Sequence, residues 1–231
     1  SNGPEGSSMT SVADVPDSCY VNDLEFGTRW NTESVSLQLN LFHMQFENEI
    51  APIGRFIPEG FVQVFLNQQA SSRQGIELNG NWDISNTFLK RANVLSLSGQ
   101  VSLLQAQISS YQPAGSAEVF EDVSPILSPQ VNGMLELNYQ PIEKLSFGIS
   151  ARYLGEQFME LTNDPSLTVP SSLVLNLNAN WNFYKEHALS IQVNNLTNEL
   201  YYTYGAPAPS GGPAYFVQAP LHAYATLRLV F

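Results

Sequence analysis

Hydrophobic and polar residues alternate along most of this chain with a period of two. Leu175 and Leu177, for example, alternate with Asn176 and Asn178. Nine segments follow this pattern, namely 24–30, 35–41, 76–82, 95–103, 131–139, 145–153, 173–183, 189–193 and 221–231. Successive side chains of a strand point to opposite faces, so each segment predicts a β-strand with one apolar and one polar face.

The connections between these segments alternate between short and long. Residues 31–34, 140–144 and 184–187 make short turns, and 84–92 makes a slightly longer one at the same end. The other connections, 47–60, 112–129, 155–170 and 197–219, are rich in Gly, Pro, Ser and Asp. Short periplasmic turns and long extracellular loops are typical of outer-membrane barrels. This asymmetry favours a membrane barrel over a soluble β-sandwich, which would show the alternation without it.

Aromatic residues gather at the ends of the predicted strands. The short-turn end carries a predicted membrane girdle consisting of Trp30, Trp82, Tyr139, Trp181 and Phe183, together with the terminal Phe231. The opposite end carries a predicted outer girdle of Tyr20, Phe46, Tyr111, Tyr153 and Phe158. Trp and Tyr are enriched where hydrocarbon meets water, because one end of the ring is apolar and the other is polar.

Composition limits the classes of function. The net charge of −12 and the nine Lys and Arg residues argue against nucleic acid as a partner, which requires basic surfaces. Many carboxylates, including Glu118, Glu121 and Asp164, lie in the long connections, where they indicate a solvated surface or contact with cationic groups. The single Cys19 allows no internal disulfide. The fold class predicted from these features is all-β, an antiparallel transmembrane β-barrel.

The strand count predicts that this barrel is incomplete. A bacterial barrel has an even number of strands with both ends in the periplasm, whereas nine strands that end there must begin outside. We therefore expect residues 1–19 to be the remainder of an extracellular loop and residues 20–231 to be the C-terminal part of a barrel. The absence of a recognisable signal peptide agrees with this expectation.

Several short motifs resemble one known family. They are Asp23-Leu-Glu-Phe-Gly-Thr-Arg-Trp30, the segment Val35 to Ile50 that ends in an aromatic-rich stretch, Gly75-Ile-Glu77, and Val193-Asn-Asn-Leu-Thr-Asn-Glu-Leu-Tyr-Tyr202. Their order and spacing resemble the late barrel strands of TonB-dependent outer-membrane receptors. The terminal aromatic Phe231 matches as well, while Thr197 departs slightly from the usual Asn-Leu-Phe element.

The resemblance implies a barrel of about 22 strands filled by an N-terminal plug. Such receptors reside in the outer membrane of Gram-negative bacteria and import large, scarce nutrients with energy passed through TonB. Ferric siderophores, cobalamin, haem and glycans are the usual ligands, and a ferric siderophore or similar iron complex is the one expected here. Neither the plug nor the TonB-contacting segment is recognised in these residues. Nine strands cannot close at this radius, so we expect an open, curved sheet.

Residues with catalytic chemistry are sparse. His222 is predicted to face the lumen near Tyr224, but no carboxylate lies in the same register to orient it as a base. The three histidines lack metal-ligand spacing, and no cofactor is expected. Two alternatives stay open at this point, an outer-membrane barrel enzyme of protease or lipase type and a secreted β-sandwich binding module.

Two further roles are predicted at the C-terminal end. The last long connection places Tyr204, Tyr215 and Phe216 among Gly and Pro residues, and with His222 they are the candidate ligand-binding residues. Rigid aromatic surfaces suit large ring-bearing ligands, because burial of area needs no charge match. Phe231 resembles the signal that the barrel assembly machinery recognises. The predicted partners are therefore outer-membrane lipid, the assembly machinery, TonB through the plug, and a large nutrient.

Overall fold

The computed structural model describes residues 18–57, 62–67, 70–89, 94–113, 116–209 and 211–230. Sixteen strands are present in this part of the chain. Their bounds are β1 Tyr20–Asn31, β2 Val35–Glu47, β3 Ile50–Ile57, β4 Val62–Asn67, β5 Ala70–Asp83, β6 Val94–Tyr111, β7 Phe120–Val123, β8 Val131–Ile142, β9 Leu145–Leu154, β10 Gln157–Phe158, β11 Thr168–Val169, β12 Ser172–Tyr184, β13 His187–Asn194, β14 Tyr202–Pro207, β15 Pro213–Val217 and β16 His222–Arg228.

Nine long strands form one antiparallel sheet in the order β1-β2-β5-β6-β8-β9-β12-β13-β16, and β7 adds to it by pairing with β6. These nine are the strands that the alternation predicts. β1 and β16 lie at opposite edges of the sheet. The sheet is therefore open, which confirms the expected fold class. The described residues include no helix long and apolar enough to cross a membrane.

The pairing register joins the apolar positions of neighbouring strands into continuous rows. One row crosses seven strands through Trp30, Leu37, Gly80, Gly99, Leu135, Ala151 and Leu175. The next row toward the short-turn end is polar and contains Asn31, Ser36, Asn81, Ser98, Glu136, Ser150 and Asn176. A shift of one residue in any strand would mix the two faces, so the alternation in the sequence fixes the register.

Aromatic side chains mark the short-turn end of the apolar face. Trp181 lies directly opposite Leu145 and Leu189, and Tyr139 lies opposite Leu95 and Phe147. Trp30, Tyr139 and Trp181 are 57%, 41% and 50% exposed. The indole N–H of Trp82 donates to the Thr87 hydroxyl at 3.0 Å. Thr87 belongs to a single π-helical turn, Ser85–Leu89, that follows β5. Phe183 sits at a register irregularity, and its ring lies 5.6 Å from that of Trp181.

The long connections contain strands that the alternation does not predict. β3 pairs with β4, β10 with β11, and β14 with β15, each forming a small sheet of two strands. β7 extends the main sheet beside the end of β6. These strands are short or interrupted by Gly and Pro, so they lack the repeated alternation that identifies a strand in sequence.

Buried apolar side chains concentrate at the long-loop end. Among the described residues they are Ile108, Tyr111, Val123, Ile126, Met159, Leu161, Val169 and Val174. Tyr111 is only 6% exposed and packs with Ile108, Val123, Ile126 and Leu161, so its predicted place in an outer girdle is wrong. The long-loop end has a hydrophobic core of its own.

Candidate functional site

Three of the long connections pack into one body, here called the loop cap and made of the described residues 112–113, 116–130, 155–171, 195–209 and 211–221. The first two are joined by their backbones and by one side chain. The Leu127 N–H donates to the Phe158 carbonyl at 2.9 Å. The Asn163 side chain both accepts from the Ser124 N–H at 2.6 Å and donates to the Ser124 carbonyl at 3.0 Å. Leu161, fully buried, completes the apolar contact between them.

The third connection docks on the second through the β14–β15 hairpin. The Tyr215 hydroxyl donates to the Thr168 carbonyl at 3.1 Å. Gly205 lies directly opposite Tyr215, and a Cβ at this position would overlap the Met159 methyl group and come within 3.1 Å of Val169. Met159 and Val169 are buried at 1% and 0% exposure, so only glycine permits this close approach.

The hairpin carries aromatic pairs on both of its faces. Tyr202 and Tyr215 stack with ring centroids 4.3 Å apart and an interplanar angle of 19°. Tyr204 and Phe216 meet edge to face at 5.0 Å and 63°. Because Tyr215 and Phe216 are consecutive in a strand, they point to opposite faces. Tyr215 therefore lies on the docked face of the hairpin. Phe216, which is 58% exposed, lies with Tyr204 on the opposite face.

His222 is held by hydrogen bonds through both ring nitrogens. Its Nδ1 lies 2.7 Å from the Pro220 carbonyl oxygen, which can only accept, so the proton belongs on Nδ1. Its Nε2 lies 3.0 Å from the Asn194 side-chain nitrogen and accepts from it. The ring also meets Tyr224 edge to face at 5.4 Å, as the sequence predicts. With both nitrogens occupied, His222 holds the start of β16 in place.

Asn195 is the central polar residue of the third connection. It is 1% exposed and has a φ of 52°. Its side chain donates to the carbonyls of Glu199 and Ala219 and accepts from the Glu199 N–H at 2.8 Å. Its own N–H donates to the Asn176 side chain at 3.0 Å. The sequence singled out Asn195 as part of the Asn-Leu-Thr-Asn motif. It did not show that the Asn195 side chain bonds to the backbone of Glu199 and Ala219.

A second polar cluster, missed in the sequence, lies at the long-loop end of β2 and β5. Glu49 binds Arg73 at 2.5 Å and also accepts from the Ser71 hydroxyl. The Arg73 guanidinium lies 4.5 Å above the centroid of the Phe46 ring. In the register of β2, Phe46 shares the face of Ser36 and Gln38, so its predicted place in an outer girdle is also wrong. The carboxylate of Glu49 balances the positive charge of Arg73 in this ion pair.

Most carboxylates of the loop cap are exposed, and Glu160 is half-buried and accepts from the Thr162 hydroxyl. Asp164 accepts from the backbone N–H of Ser166 at 2.8 Å and from the Ser166 hydroxyl at 2.7 Å, and these bonds lower the pKa of the Asp164 carboxyl. Glu118, Glu121, Asp122, Glu156 and Glu199 are exposed too. Within the described ranges, no three His, Cys, Asp or Glu side chains come together as metal ligands.

The fold defined by this geometry is an antiparallel, open barrel wall whose long loops pack together at one end. The sequence matches the family described as "TonB dependent receptor-like, beta-barrel" over residues 20–196. The chain belongs to this family. No curated protein matches the sequence.

Solved structures of similar fold agree with the family assignment. The siderophore receptor PiuA from Acinetobacter baumannii superimposes with a TM-score of 0.68 at 18% identity, covering 90% of this chain and 28% of that one. The ferric citrate transporter FecA superimposes with a TM-score of 0.69 at 17% identity, covering 89% of this chain and 30% of that one. The copper transporter OprC gives 0.68 at 14% identity, covering 95% and 33%. The chain therefore spans about a third or less of the length of these receptors.

Proposed function

We propose that this chain forms part of the wall and loop cap of an outer-membrane receptor that imports a ferric siderophore or a similar iron complex with energy from TonB. The observation that carries the proposal is the family match over residues 20–196. Similarity in fold to the siderophore receptor PiuA and the ferric citrate transporter FecA supports an iron complex as the ligand. TonB would act through a plug, and the apolar face of the sheet would contact lipid.

The loop cap is the part of this chain that we propose to meet the ligand. Tyr204 and Phe216 lie on the face of the hairpin opposite Tyr215, which docks the hairpin on the second connection. His222 lies beyond the hairpin and orders the start of β16, next to the end of the third connection. A large ligand gains binding energy from aromatic area that is rigid before it arrives, because little conformational entropy is then lost. The core and a backbone hydrogen bond join the first two connections, and the Tyr215 hydroxyl and the close packing at Gly205 dock the third, so we expect the loop cap to be rigid.

The proposal is tested in the bacterium that carries the full-length gene. Cells grown under iron limitation are given ferric siderophores labelled with radioactive iron, and the one that they take up is used as the probe. Deletion of the gene should abolish uptake of this probe, and restoring the full-length receptor should recover it. Uptake should also stop when TonB is deleted, whereas binding to whole cells should persist, because binding needs no energy. Uptake that continues in the TonB deletion strain would overturn the proposal.

The contact residues are tested separately by binding to whole cells. Tyr204→Ala and Phe216→Ala should weaken binding about tenfold or more with surface expression unchanged, in the range of aromatic contacts at binding sites. Tyr215→Phe removes only the hydroxyl that docks the hairpin, so it should loosen the loop cap and affect binding less. Unchanged affinity in both alanine variants would assign ligand contact to other parts of the receptor.

A further inference from the structure

A buried amide lies beside the contact through which the β14–β15 hairpin docks on the second connection. Gln157 is 5% exposed, and its side-chain nitrogen has no hydrogen-bond acceptor among the described residues. Gln157 pairs with Val169 across β10 and β11, so both side chains lie on one face. The backbone pairing continues through Met159, two residues further on, which points to the same face. Gly205 packs on Met159 and Val169, so docking of the hairpin covers the face that carries Gln157.

Docking of the hairpin therefore has a free-energy cost at Gln157. While the hairpin is undocked, water can accept from both N–H groups of the amide. In the docked state the described chain offers no acceptor, and the loss of such a partner lowers an equilibrium constant by about 5-fold to 150-fold. The burial of Met159 and Val169 and the bond from Tyr215 favour docking and keep the docked state the major one. The loop cap is therefore rigid most of the time, and the docking of its hairpin is weakened.

The contact between the first two connections has no such cost. The Asn163 side chain bonds to both backbone groups of Ser124, and the Leu127 N–H donates to a backbone carbonyl of the second connection. Leu161 is fully buried among apolar side chains. Among the described residues, the Gln157 nitrogen is the one buried side-chain atom that lacks a partner. Because proteins open first where the local stability is lowest, the hairpin should separate before the other two connections do.

The ends of the third connection limit the movement to the hairpin. Asn195 bonds to the backbone of Glu199 and Ala219, which ties both ends of this connection together. β14 also contacts β3, which belongs to the connection between β2 and β5. Five strands lie between β2 and β13 in the sheet, about 29 Å along it at about 4.8 Å for each spacing. The docked hairpin therefore joins loops that arise far apart, and its release separates them.

We propose that the β14–β15 hairpin is a lid that opens as a unit while the first two connections stay joined, and that Gln157 sets how readily it opens. The unpartnered amide raises the free energy of the docked state and leaves that of the undocked state unchanged, so it increases the open fraction. This movement does not depend on which ligand the receptor binds.

The test measures the labelling of a buried thiol in the full-length receptor, purified in detergent. Cys19→Ser removes the exposed native thiol, any other cysteine is replaced likewise, and Met159→Cys places a reporter under the hairpin. When closing is faster than the reaction, the labelling rate follows the open fraction. Gln157→Met keeps the length of the side chain and removes the donor, so it should slow labelling at position 159 by about fivefold or more.

Two comparisons isolate the hairpin. Gln112→Met makes the same change at an exposed glutamine whose amide donates to the Ser116 carbonyl, so it should leave the labelling rate at position 159 unchanged. A second reporter, Leu161→Cys, lies in the contact between the first two connections. It should be labelled more slowly than the thiol at position 159 and should not respond to Gln157→Met.

Tyr215→Phe tests the lid independently of position 157. It removes the bond to the Thr168 carbonyl, so it should speed labelling at position 159 severalfold. Unchanged or faster labelling in Gln157→Met would show that the amide has a partner in the docked state and would overturn the role of Gln157. Equal labelling at positions 159 and 161, or no response to Tyr215→Phe, would overturn the lid itself.

Discussion

The side-chain amide of Asn195 donates to the carbonyl of Ala219 at 3.1 Å and so joins the end of β13 to the segment that leads into β16. The same side chain closes a turn with the backbone of Glu199. Asn195 is almost completely buried, and its positive φ is one that asparagine tolerates better than most residues. One residue therefore orders both ends of the third connection of the loop cap.

Replacement of Asn195 should destabilise this connection. Asn195→Ala removes the side-chain partner of the Glu199 N–H and of the Glu199 and Ala219 carbonyls, at about 0.5–1.5 kcal/mol for each hydrogen bond lost. We expect faster proteolysis within residues 196–220 of the full-length receptor in detergent. The control is Asn180→Ala, on the exposed part of β12, and it should be cleaved at the same rate as the unaltered receptor. Equal cleavage of the two variants would show that Asn195 does not organise this segment.

The register of β12 can be read with spin labels in the membrane-embedded receptor. Labels at Leu175 and Leu177 should report contact with lipid, and labels at Asn178 and Asn180 should report water or protein, because neighbouring positions face opposite sides. Collision with oxygen and with a water-soluble nickel complex measures the two environments. Asn176 is avoided because its side chain accepts from the Asn195 backbone. Similar accessibility at all four positions would contradict membrane insertion in this register.

Docking of the hairpin on the loop cap should depend on the small size of Gly205. Gly205→Ala places a methyl group against Met159, Val169 and the Ala214 carbonyl, so we expect a loss of stability of about 1–3 kcal/mol from overpacking. Combining it with Met159→Ala should cost less than the sum of the two single changes. Gly27→Ala, whose new Cβ has no neighbour closer than 3.7 Å, is the control. Strict additivity in denaturant unfolding would argue against the contact.

The Asp164 turn should weaken in acid. Its pKa is lowered from the usual 3.8 by the two bonds from Ser166. A carboxylate with a lowered pKa in the folded state contributes stability above the usual pKa and loses it as the pH falls through the lowered value. The protection of the Ser166 amide against exchange, measured relative to its intrinsic exchange rate at each pH, should therefore fall below about pH 4. Asp164→Asn should flatten this dependence, and an unchanged profile in that variant would assign it to other groups.

Phe231 lies outside the described residues, and its predicted role as an assembly signal stays a prediction. Deletion of Phe231 from the full-length receptor should lower its abundance in the outer membrane. Phe183→Leu, which alters an aromatic at the short-turn end of the sheet, should have a much smaller effect. Quantitative immunoblots of membrane fractions measure both. Equal losses would leave Phe231 with the role of a membrane-interface aromatic only.

The sequence predicted the main sheet well and the loop cap poorly, for a physical reason. Pairs such as Trp181 with Leu145 follow from a strict period of two, which a sheet with unlike faces requires along its whole length. Contacts such as that of Tyr215 with Thr168 join segments far apart in sequence and have no period. The aromatic residues of the hairpin were found by composition, but only the structure separates Tyr215, which docks, from Phe216, which does not.

The hydrophobic core in which Val123, Ile126 and Leu161 of the loop cap pack on Ile108 of β6 also bears on immune recognition of the intact receptor. Because residues from separate connections share this core, the outer surface is assembled from pieces distant in sequence. Antibodies raised against the folded receptor should therefore recognise a discontinuous epitope. Linear peptides copied from a single connection would present the right residues without the shape that such antibodies bind.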